Sequence, residues 1–237
     1  MLEVRHEGQE GRRMNSLKQD ARLLGLLKRL HAESEGQMPA LMDYFRQHGG
    51  ASVGGTDRQI EAGRAFWRDK LVALEPAKAE FCYALCRAIK AKRIVEAGTS
   101  FGVSTLYLAA AVRDNGGGIV IATEYEANKA RAARAHWAEV GLSEFVDLRE
   151  GDLRETLSQL EGPIDFLLID IWTPMARPAI ALVAPHMRSG GVVIADNTST
   201  FREPYADYLA FLADPRNEFS TSTLPFEGGL EISVKTG

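Results

Sequence analysis

The stretch Arg93-Ile94-Val95-Glu96-Ala97-Gly98-Thr99-Ser100-Phe101-Gly102-Val103-Ser104 decides the fold of this chain. It reads as an apolar strand that ends in an acid, then a turn that carries glycine, then the start of a helix. Gly98 and Gly102 have no β-carbon, so the backbone there can turn sharply and lie against a ligand. A helix that begins near Gly102 points free N–H groups back toward that ligand. Such a strand–turn–helix unit is typical of sites for nucleotide-type cofactors.

The spacing of the glycines differs from two common cofactor patterns. The dinucleotide fingerprint has the register G-x-G-x-x-G, whereas this chain has E-x-G-x-x-x-G-x-S. A phosphate-binding P-loop ends in Gly-Lys-Ser/Thr, and Gly102-Val103-Ser104 lacks the lysine. The register therefore disfavours an NAD-linked oxidoreductase, which stays open only as an alternative.

The composition bounds the size of the core and the class of partner. A chain of 237 residues with 45% apolar and 25% charged residues has room for a full α/β core. The formal net charge of −4 argues against nucleic acid or an anionic membrane as a partner. We expect a cytoplasmic protein, because no apolar run reaches the roughly 18–20 residues of a membrane span and the charged start lacks a signal-peptide core. The spacing of Cys82 and Cys86 on one predicted helix face favours buried thiols over a metal or redox pair.

An alternation of strands and helices begins at residue 93. Its strands are continuous apolar runs, as in a parallel sheet that is covered on both faces. The predicted fold is an α/β, Rossmann-like, doubly wound and mostly parallel sheet of seven strands, which ends in a C-terminal antiparallel hairpin. Strands are predicted at 93–97, 118–123, 145–149, 164–170, 190–195, 217–224 and 229–235, and helices at 102–113, 126–140, 153–160, 174–187 and 203–213.

The N-terminal part follows a different pattern. Residues 1–75 are predicted to form a helical cap or arm, and residues 76–237 the Rossmann-like domain. Amphipathic patterns predict helices at 15–32 and 37–47, and Pro76 opens a further helix at 76–91. The glycine-rich loop Gly49–Gly55 is either a lid over the site or an ordinary linker.

Carboxylates follow all five of the predicted parallel strands. In a doubly wound sheet, ligands bind beyond the carboxyl ends of the strands, so these acids meet at the binding edge. Glu124 lies about 20 residues beyond the glycine turn, a position that suits the two hydroxyls of a ribose. So many acids disfavour a pyrophosphate and favour a cofactor with a ribose and a positive or neutral end, as in S-adenosylmethionine with its sulfonium. The acids are Glu96, Glu124, Asp152, Asp170 and Asp196.

Five motifs follow one another along the chain: Val95–Ala109, Ala122-Thr123-Glu124-Tyr125, Glu150-Gly151-Asp152, Ile164–Asp170 and Gly190–Asn197. In their order and spacing they resemble the class I S-adenosylmethionine-dependent methyltransferases. More narrowly, they resemble the cation-dependent O-methyltransferases related to the catechol and caffeoyl-CoA enzymes. The resemblance runs from about residue 76 to the C-terminus.

The resemblance implies where the cofactor binds. The glycine turn would hold the methionine half, Glu124 the ribose and Tyr125 the adenine, while Asp152 and Leu153 would lie at the adenine edge. Trp172 would wall the pocket near the cofactor and the substrate. The full set of cofactor-binding candidates is Glu96, Gly98, Thr99, Ser100, Gly102, Ser104, Glu124, Tyr125, Asp152, Leu153, Asp170 and Trp172.

The resemblance also implies a metal site, since Asp170, Asp196 and Asn197 match the family's three ligands for a divalent cation, usually magnesium. Three oxygen ligands suit a hard cation and leave octahedral positions open for water and substrate. A hydroxyl bound there loses its proton more easily, which makes Asp170 the candidate catalytic residue. The alternative interpretation of Asp196-Asn197 is a turn pair that ends the fifth strand.

One position departs from the family pattern. Thr173 stands where the catechol-type enzymes carry a lysine as general base, and threonine does not act as a base near neutral pH. Either the cation alone activates the substrate, another group supplies the base, or the substrate is not a catechol. The predicted function is methyl transfer to a hydroxyl of a small molecule, by a homodimer as the resemblance implies. A metal-independent methyltransferase and a non-catalytic cofactor-binding or dimerisation protein remain alternatives.

Overall fold

The structure, a computed structural model, describes residues 16–48 and 65–237. Its N-terminal part is one long helix, α1 (Ala21–His48), which follows a 3₁₀ turn at Leu17–Gln19. The prediction of two helices at 15–32 and 37–47 is therefore wrong, because α1 runs without a break between them and contains Pro39 in its interior. The predicted loop Gly49–Gly55 lies outside the described residues.

Packing explains why α1 does not break. Its buried stripe continues past the expected end, with Leu30, Ser34 and Leu41 all buried. Within the same stretch, the Ser34 hydroxyl accepts a hydrogen bond from the Ala73 N–H at 3.0 Å. These tertiary contacts outweigh the local cost of a proline inside the helix.

The sheet has seven strands in the spatial order β3-β2-β1-β4-β5-β7-β6. The first five are parallel, and β7 pairs antiparallel with both β5 and β6. The predicted fold class is confirmed, including the C-terminal hairpin at the sheet edge. The strands are β1 (Arg93–Ala97), β2 (Ile119–Glu124), β3 (Val146–Glu150), β4 (Ile164–Ile169), β5 (Met187–Asp196), β6 (Phe219–Leu224) and β7 (Leu230–Lys235).

Helices cover both faces of the sheet. Pro76 begins α2 (Pro76–Ala88), as predicted, and α5 (Leu153–Thr156) is a single turn, shorter than the predicted 153–160. The remaining helices are α3 (Val103–Asp114), α4 (Ala127–Glu139), α6 (Ala176–Val183) and α7 (Ala206–Ala213). No helix among the described residues is long and apolar enough to cross a membrane.

The core has two layers, one on each face of the sheet. Side chains alternate along a strand, so Phe166 and Leu168 of β4 join one layer while Leu167 and Ile169 join the other. The first layer packs against α1 to α4 and the second against α5 to α7. Both cysteines are free and buried in the first layer, as the sequence predicts.

Candidate active site

The register of the sheet brings the predicted acids to one edge. Ile169 of β4 pairs with Ala195 of β5, so the residues that follow them, Asp170 and Asp196, lie side by side at the carboxyl end. Ala97 of β1 pairs with Ile169 in the same way, so the glycine turn after β1 begins beside Asp170. The cofactor turn and the candidate cation ligands are therefore neighbours in space.

Glycine is required twice in the turn after β1. Gly98 has φ +96°, and a β-carbon there would collide with the carbonyl oxygen of Asp170. Gly102 has φ +80°, and a β-carbon would lie 2.6 Å from the indole Nε1 of Trp137. That indole in turn donates a hydrogen bond to the Gly102 carbonyl at 3.2 Å. The turn is thus pressed between β4 on one side and α4 on the other.

Glu96 is a buried carboxylate that braces this turn from inside. It accepts hydrogen bonds from the hydroxyls of Thr99 at 2.9 Å, Ser104 at 2.6 Å and Thr105 at 2.5 Å. Burial raises the pKa of Glu96, and the three hydroxyls only partly offset that rise. The cofactor contacts expected for Glu96, Thr99 and Ser104 stay predictions; in this structure their side chains hold one another.

Glu124 links the end of β2 to the glycine turn. Its Oε2 accepts a hydrogen bond from the Ser100 N–H at 2.7 Å, and its Oε1 accepts one from the Glu126 N–H at 2.8 Å. The side chain of Glu126 forms an ion pair with Arg68 at 3.2 Å. The chain before α2 is thereby tied to the edge where Glu124 is predicted to bind a ribose.

The other predicted adenine-side residues lie at the ends of neighbouring strands. Tyr125 follows β2 and is exposed. Asp152 caps α5 by accepting a hydrogen bond from the Arg154 N–H at 2.9 Å, while Leu153 is buried beneath it. Their cofactor roles stay predictions.

Asp196 already has donors on both carboxylate oxygens. Oδ1 accepts from the Asn197 N–H at 2.8 Å, and Oδ2 accepts from Asn197 Nδ2 at 2.9 Å. The ammonium of Lys78 on α2 lies 2.7 Å from Oδ1 and is fully buried. Lys78 is the residue that sequence reasoning missed, although its spacing from buried Ala79, Cys82 and Cys86 places it on the inward stripe of α2.

The pKa values at this edge show how its charges interact. Burial raises the pKa of Asp170, the nearby charges of Asp196 and Glu96 raise it further, and Lys78 lowers it in part. Burial lowers the pKa of Lys78, but Asp196 and Glu75 outweigh burial and leave that pKa above its ordinary value. Lys78 is therefore an ammonium at neutral pH and does not replace the missing lysine as a base.

The residues after Asp170 provide no base either. Trp172 is half-buried at this edge, and Thr173 is buried with a hydroxyl that has no hydrogen-bond partner among the described residues. Arg177 is turned toward another side chain, with its guanidinium 4.4 Å from the ring centre of Phe211.

The donor set fits a hard divalent cation only if the amide oxygen takes part. Across residues 16–48 and 65–237, no group of three or more His, Cys, Asp or Glu side chains has an arrangement that could hold a metal ion. Asp170 and Asp196 supply carboxylates, and Asn197 supplies an amide whose nitrogen donates to Asp196 Oδ2 while its oxygen lies next to Gly228. Gly228 leaves room for that amide, because a β-carbon on Gly228 would collide with Asn197 Oδ1. The chemistry of the three ligands therefore suits magnesium.

Comparison with known proteins agrees with this geometry. Residues 95–198 match the family model described as a methyltransferase domain. The chain is 29% identical over 164 residues to a catechol O-methyltransferase from Niastella koreensis, a match that covers 63% of this chain and 71% of that protein. It is 31% identical over 127 residues to a catechol O-methyltransferase from Mycobacterium tuberculosis, covering 53% of this chain and 57% of that protein.

Solved structures share the fold. The O-methyltransferase TomG from Streptomyces achromogenes, in complex with SAM, superposes with a TM-score of 0.64 at 22% identity, covering 82% of this chain and 96% of that one. An O-methyltransferase from Bacillus cereus, in complex with SAH, gives 0.62 at 21% identity over 83% and 97% of the two chains. The matched domain, the order of the sheet and these similarities together show that the chain has a Rossmann-like fold and resembles the S-adenosylmethionine-dependent O-methyltransferases.

Proposed function

We propose that this protein transfers the methyl group of S-adenosylmethionine to a hydroxyl of a small molecule, with the help of a divalent cation such as Mg²⁺. The observation that carries the proposal is the carboxyl edge of the sheet. There the register sets the glycine turn next to Asp170, and Asp170 next to Asp196. A cofactor in the turn would thus present its methyl group to an acceptor held at the acids.

Charge supports the choice of cofactor. Asp170, Asp196 and buried Glu96 give this edge several carboxylates, with Lys78 as the cation beside Asp196. A sulfonium is stabilised near such carboxylates, whereas a phosphate is repelled. Glu124 keeps acceptor capacity for two hydroxyls, because each of its oxygens has two lone pairs and one backbone donor is shown for each.

The cation would be held by Asp170, Asp196 and Asn197. When bound, such a cation acidifies a coordinated hydroxyl and orients it. The chain's own contribution is positional: Asn197 holds the Asp196 carboxylate through two hydrogen bonds, and Trp172, which follows β4, would wall the pocket. Holding acceptor and methyl donor in line lowers the entropic part of the barrier.

The test is an acceptor screen with methyl-labelled S-adenosylmethionine against catechols, phenols and hydroxy acids, in Mg²⁺ and in EDTA. We expect label transfer in Mg²⁺, loss in EDTA and restoration when Mg²⁺ is returned. Asp170→Asn should abolish transfer, while Asp147→Asn, an exposed carboxylate on β3, should leave it unchanged. Transfer to nitrogen or sulfur acceptors alone would contradict the proposal.

A metal-independent methyltransferase is the second candidate. The observation that favours it is the buried ammonium of Lys78 against Asp196, a carboxylate that a metal would otherwise use. Full turnover in EDTA would support this candidate. Tight cofactor binding without turnover across the whole panel would instead support a non-catalytic protein, in keeping with Thr173 at the position of the base.

We also propose that the protein acts in the cytoplasm as a homodimer that α1 helps to form. Leu24, Met38 and Met42 are exposed apolar residues on one side of this helix. Light scattering on the purified protein should give a dimer mass, and Met42→Glu should shift it toward a monomer. A monomer mass for the unaltered chain at micromolar concentration would contradict the dimer.

A further inference from the structure

Lys78 forms ion pairs with two carboxylates. Its side chain is fully buried, with Nζ 2.7 Å from Asp196 Oδ1 and 3.4 Å from Glu75 Oε2. Both contacts are ion pairs by distance. Neither has the angles of a hydrogen bond, and Nζ has no hydrogen-bond partner among the described residues. The ammonium lies closer to Asp196 than to Glu75, and both carboxylates are near enough to balance its charge.

Asp196 is the carboxylate on which two cations would compete. The proposed site needs it as a ligand, yet its Oδ1 already faces the full positive charge of Lys78 and the Asn197 N–H. A divalent ion at the same oxygen meets strong repulsion in this buried setting. The divalent cation then binds tightly only if the Lys78 ammonium moves away. If the ammonium stays, the cation binds with lower affinity.

Glu75 is placed to receive the displaced ammonium. It immediately precedes Pro76, which begins α2, and so lies three residues before Lys78. Its side chain is half-exposed, so its carboxylate stays hydrated. Lys78 would thus keep a negative partner when Asp196 is taken by a cation.

We propose that Lys78 is a built-in competitor of the divalent cation at Asp196, and that Glu75 takes up its ammonium when the cation binds. This inference rests on the proposed cation site. It makes Lys78 a positioning residue that lowers the affinity of the proposed cation site for metal. It also makes opposite predictions for the loss of Lys78 and the loss of Glu75.

The test is a titration of the full chain with Mn²⁺, followed by electron paramagnetic resonance of the free ion, without cofactor or acceptor. Lys78→Met should bind Mn²⁺ about tenfold more tightly than the unaltered chain, because the competing charge is gone. Lys78→Arg keeps the charge and should stay within about threefold of the unaltered chain. Thermal unfolding checks that each variant is folded. If Lys78→Met does not fold, Mn²⁺ titration of Lys78→Arg and Glu75→Gln still tests the proposal.

Glu75→Gln should weaken Mn²⁺ binding about threefold or more, because the displaced ammonium loses its partner. Glu80→Gln, an exposed carboxylate on the same helix, removes the same charge and should have no effect. In the Lys78→Met background, Glu75→Gln should also have no effect, since there is no ammonium left to receive.

Three outcomes would overturn the proposal. If folded Lys78→Met binds Mn²⁺ no more tightly than the unaltered chain, Lys78 does not compete with the cation. The same loss from Glu75→Gln with and without Lys78 shows that Glu75 acts through general charge. If neither the unaltered chain nor Lys78→Met binds millimolar Mn²⁺ while S-adenosylmethionine still binds, the cation site and this inference both fail but the cofactor assignment stands. Asp170→Asn, which should abolish Mn²⁺ binding, verifies the site that is titrated.

Discussion

The hydroxyl of Ser104, in the first turn of α3, donates a hydrogen bond of 2.6 Å to the carboxylate of Glu96 at the end of β1. Both residues are buried. Strand and helix are thus joined across the glycine turn by a side-chain contact rather than by the backbone alone. The shape of the cofactor turn therefore depends on a charge that faces inward.

Replacing Glu96 by alanine should destabilise the protein by about 3 kcal/mol, because three buried hydroxyls lose their acceptor at once. Glu96→Gln keeps an acceptor oxygen and should cost less. Equilibrium unfolding in guanidinium chloride measures both. Glu139→Ala, which removes an exposed ion pair with Arg29, is the control and should change the stability far less. A cost for Glu96→Ala no larger than the control's would contradict this account of the turn.

Replacing Gly98 by alanine should destabilise the protein and abolish cofactor binding, because the new β-carbon would collide with the backbone of Asp170. Gly117→Ala is the matched control. Gly117 has a similar φ of +103°, but nothing lies within 4 Å of the added β-carbon. The control therefore reports backbone strain alone, about 1 kcal/mol or more. Equal losses of unfolding free energy in the two variants would show that the close approach to Asp170 is unimportant.

Asp165 stabilises the opposite, amino-terminal edge of the sheet in a pH-dependent way. Its carboxylate accepts hydrogen bonds from the N–H groups of Lys92 and Arg93 at 2.8 and 2.9 Å and from the Arg188 guanidinium at 2.6 Å. Burial raises the pKa of Asp165, but Arg188 and the two N–H groups outweigh burial and hold it below its ordinary value.

A lowered folded-state pKa contributes stability above the ordinary aspartate pKa, and that stability is lost as the pH falls through the folded-state value. Asp165→Asn should therefore destabilise by about 1–3 kcal/mol at pH 7, with a difference that shrinks in acid. Urea unfolding at a series of pH values measures it, with Asp147→Asn as an exposed control. A difference that is independent of pH would rule out the charge as its source.

Much of the fold follows from local sequence. The strands of a covered parallel sheet read as continuous apolar runs, and β1, β2 and β4 begin and end within about a residue of their predicted bounds. Pro76 begins α2 because a proline at the first helical position loses no hydrogen bond. The predicted break between 32 and 37 is wrong, because the tertiary contacts of Ser34 and Leu41 are not visible in a local pattern.

Part of the candidate site could also be predicted from the sequence. Parallel strands carry their carboxyl ends to one edge, so Asp170 and Asp196 are foreseeable as neighbours once the strands are found. Lys78 is not foreseeable in that way. A lysine near the start of a helix normally lies in water, and only the packing of α2 against the sheet brings it to Asp196.

The most direct test of the central claim is isothermal titration of the purified protein with S-adenosylmethionine in Mg²⁺. We predict micromolar binding that Glu124→Gln weakens about tenfold or more, since hydrogen bonds to a charged carboxylate are lost. Glu150→Gln, which removes the carboxylate paired with Glu124 in register on β3, should bind like the unaltered chain. A folded protein that shows no binding, or that binds equally well after Glu124→Gln, would contradict the account.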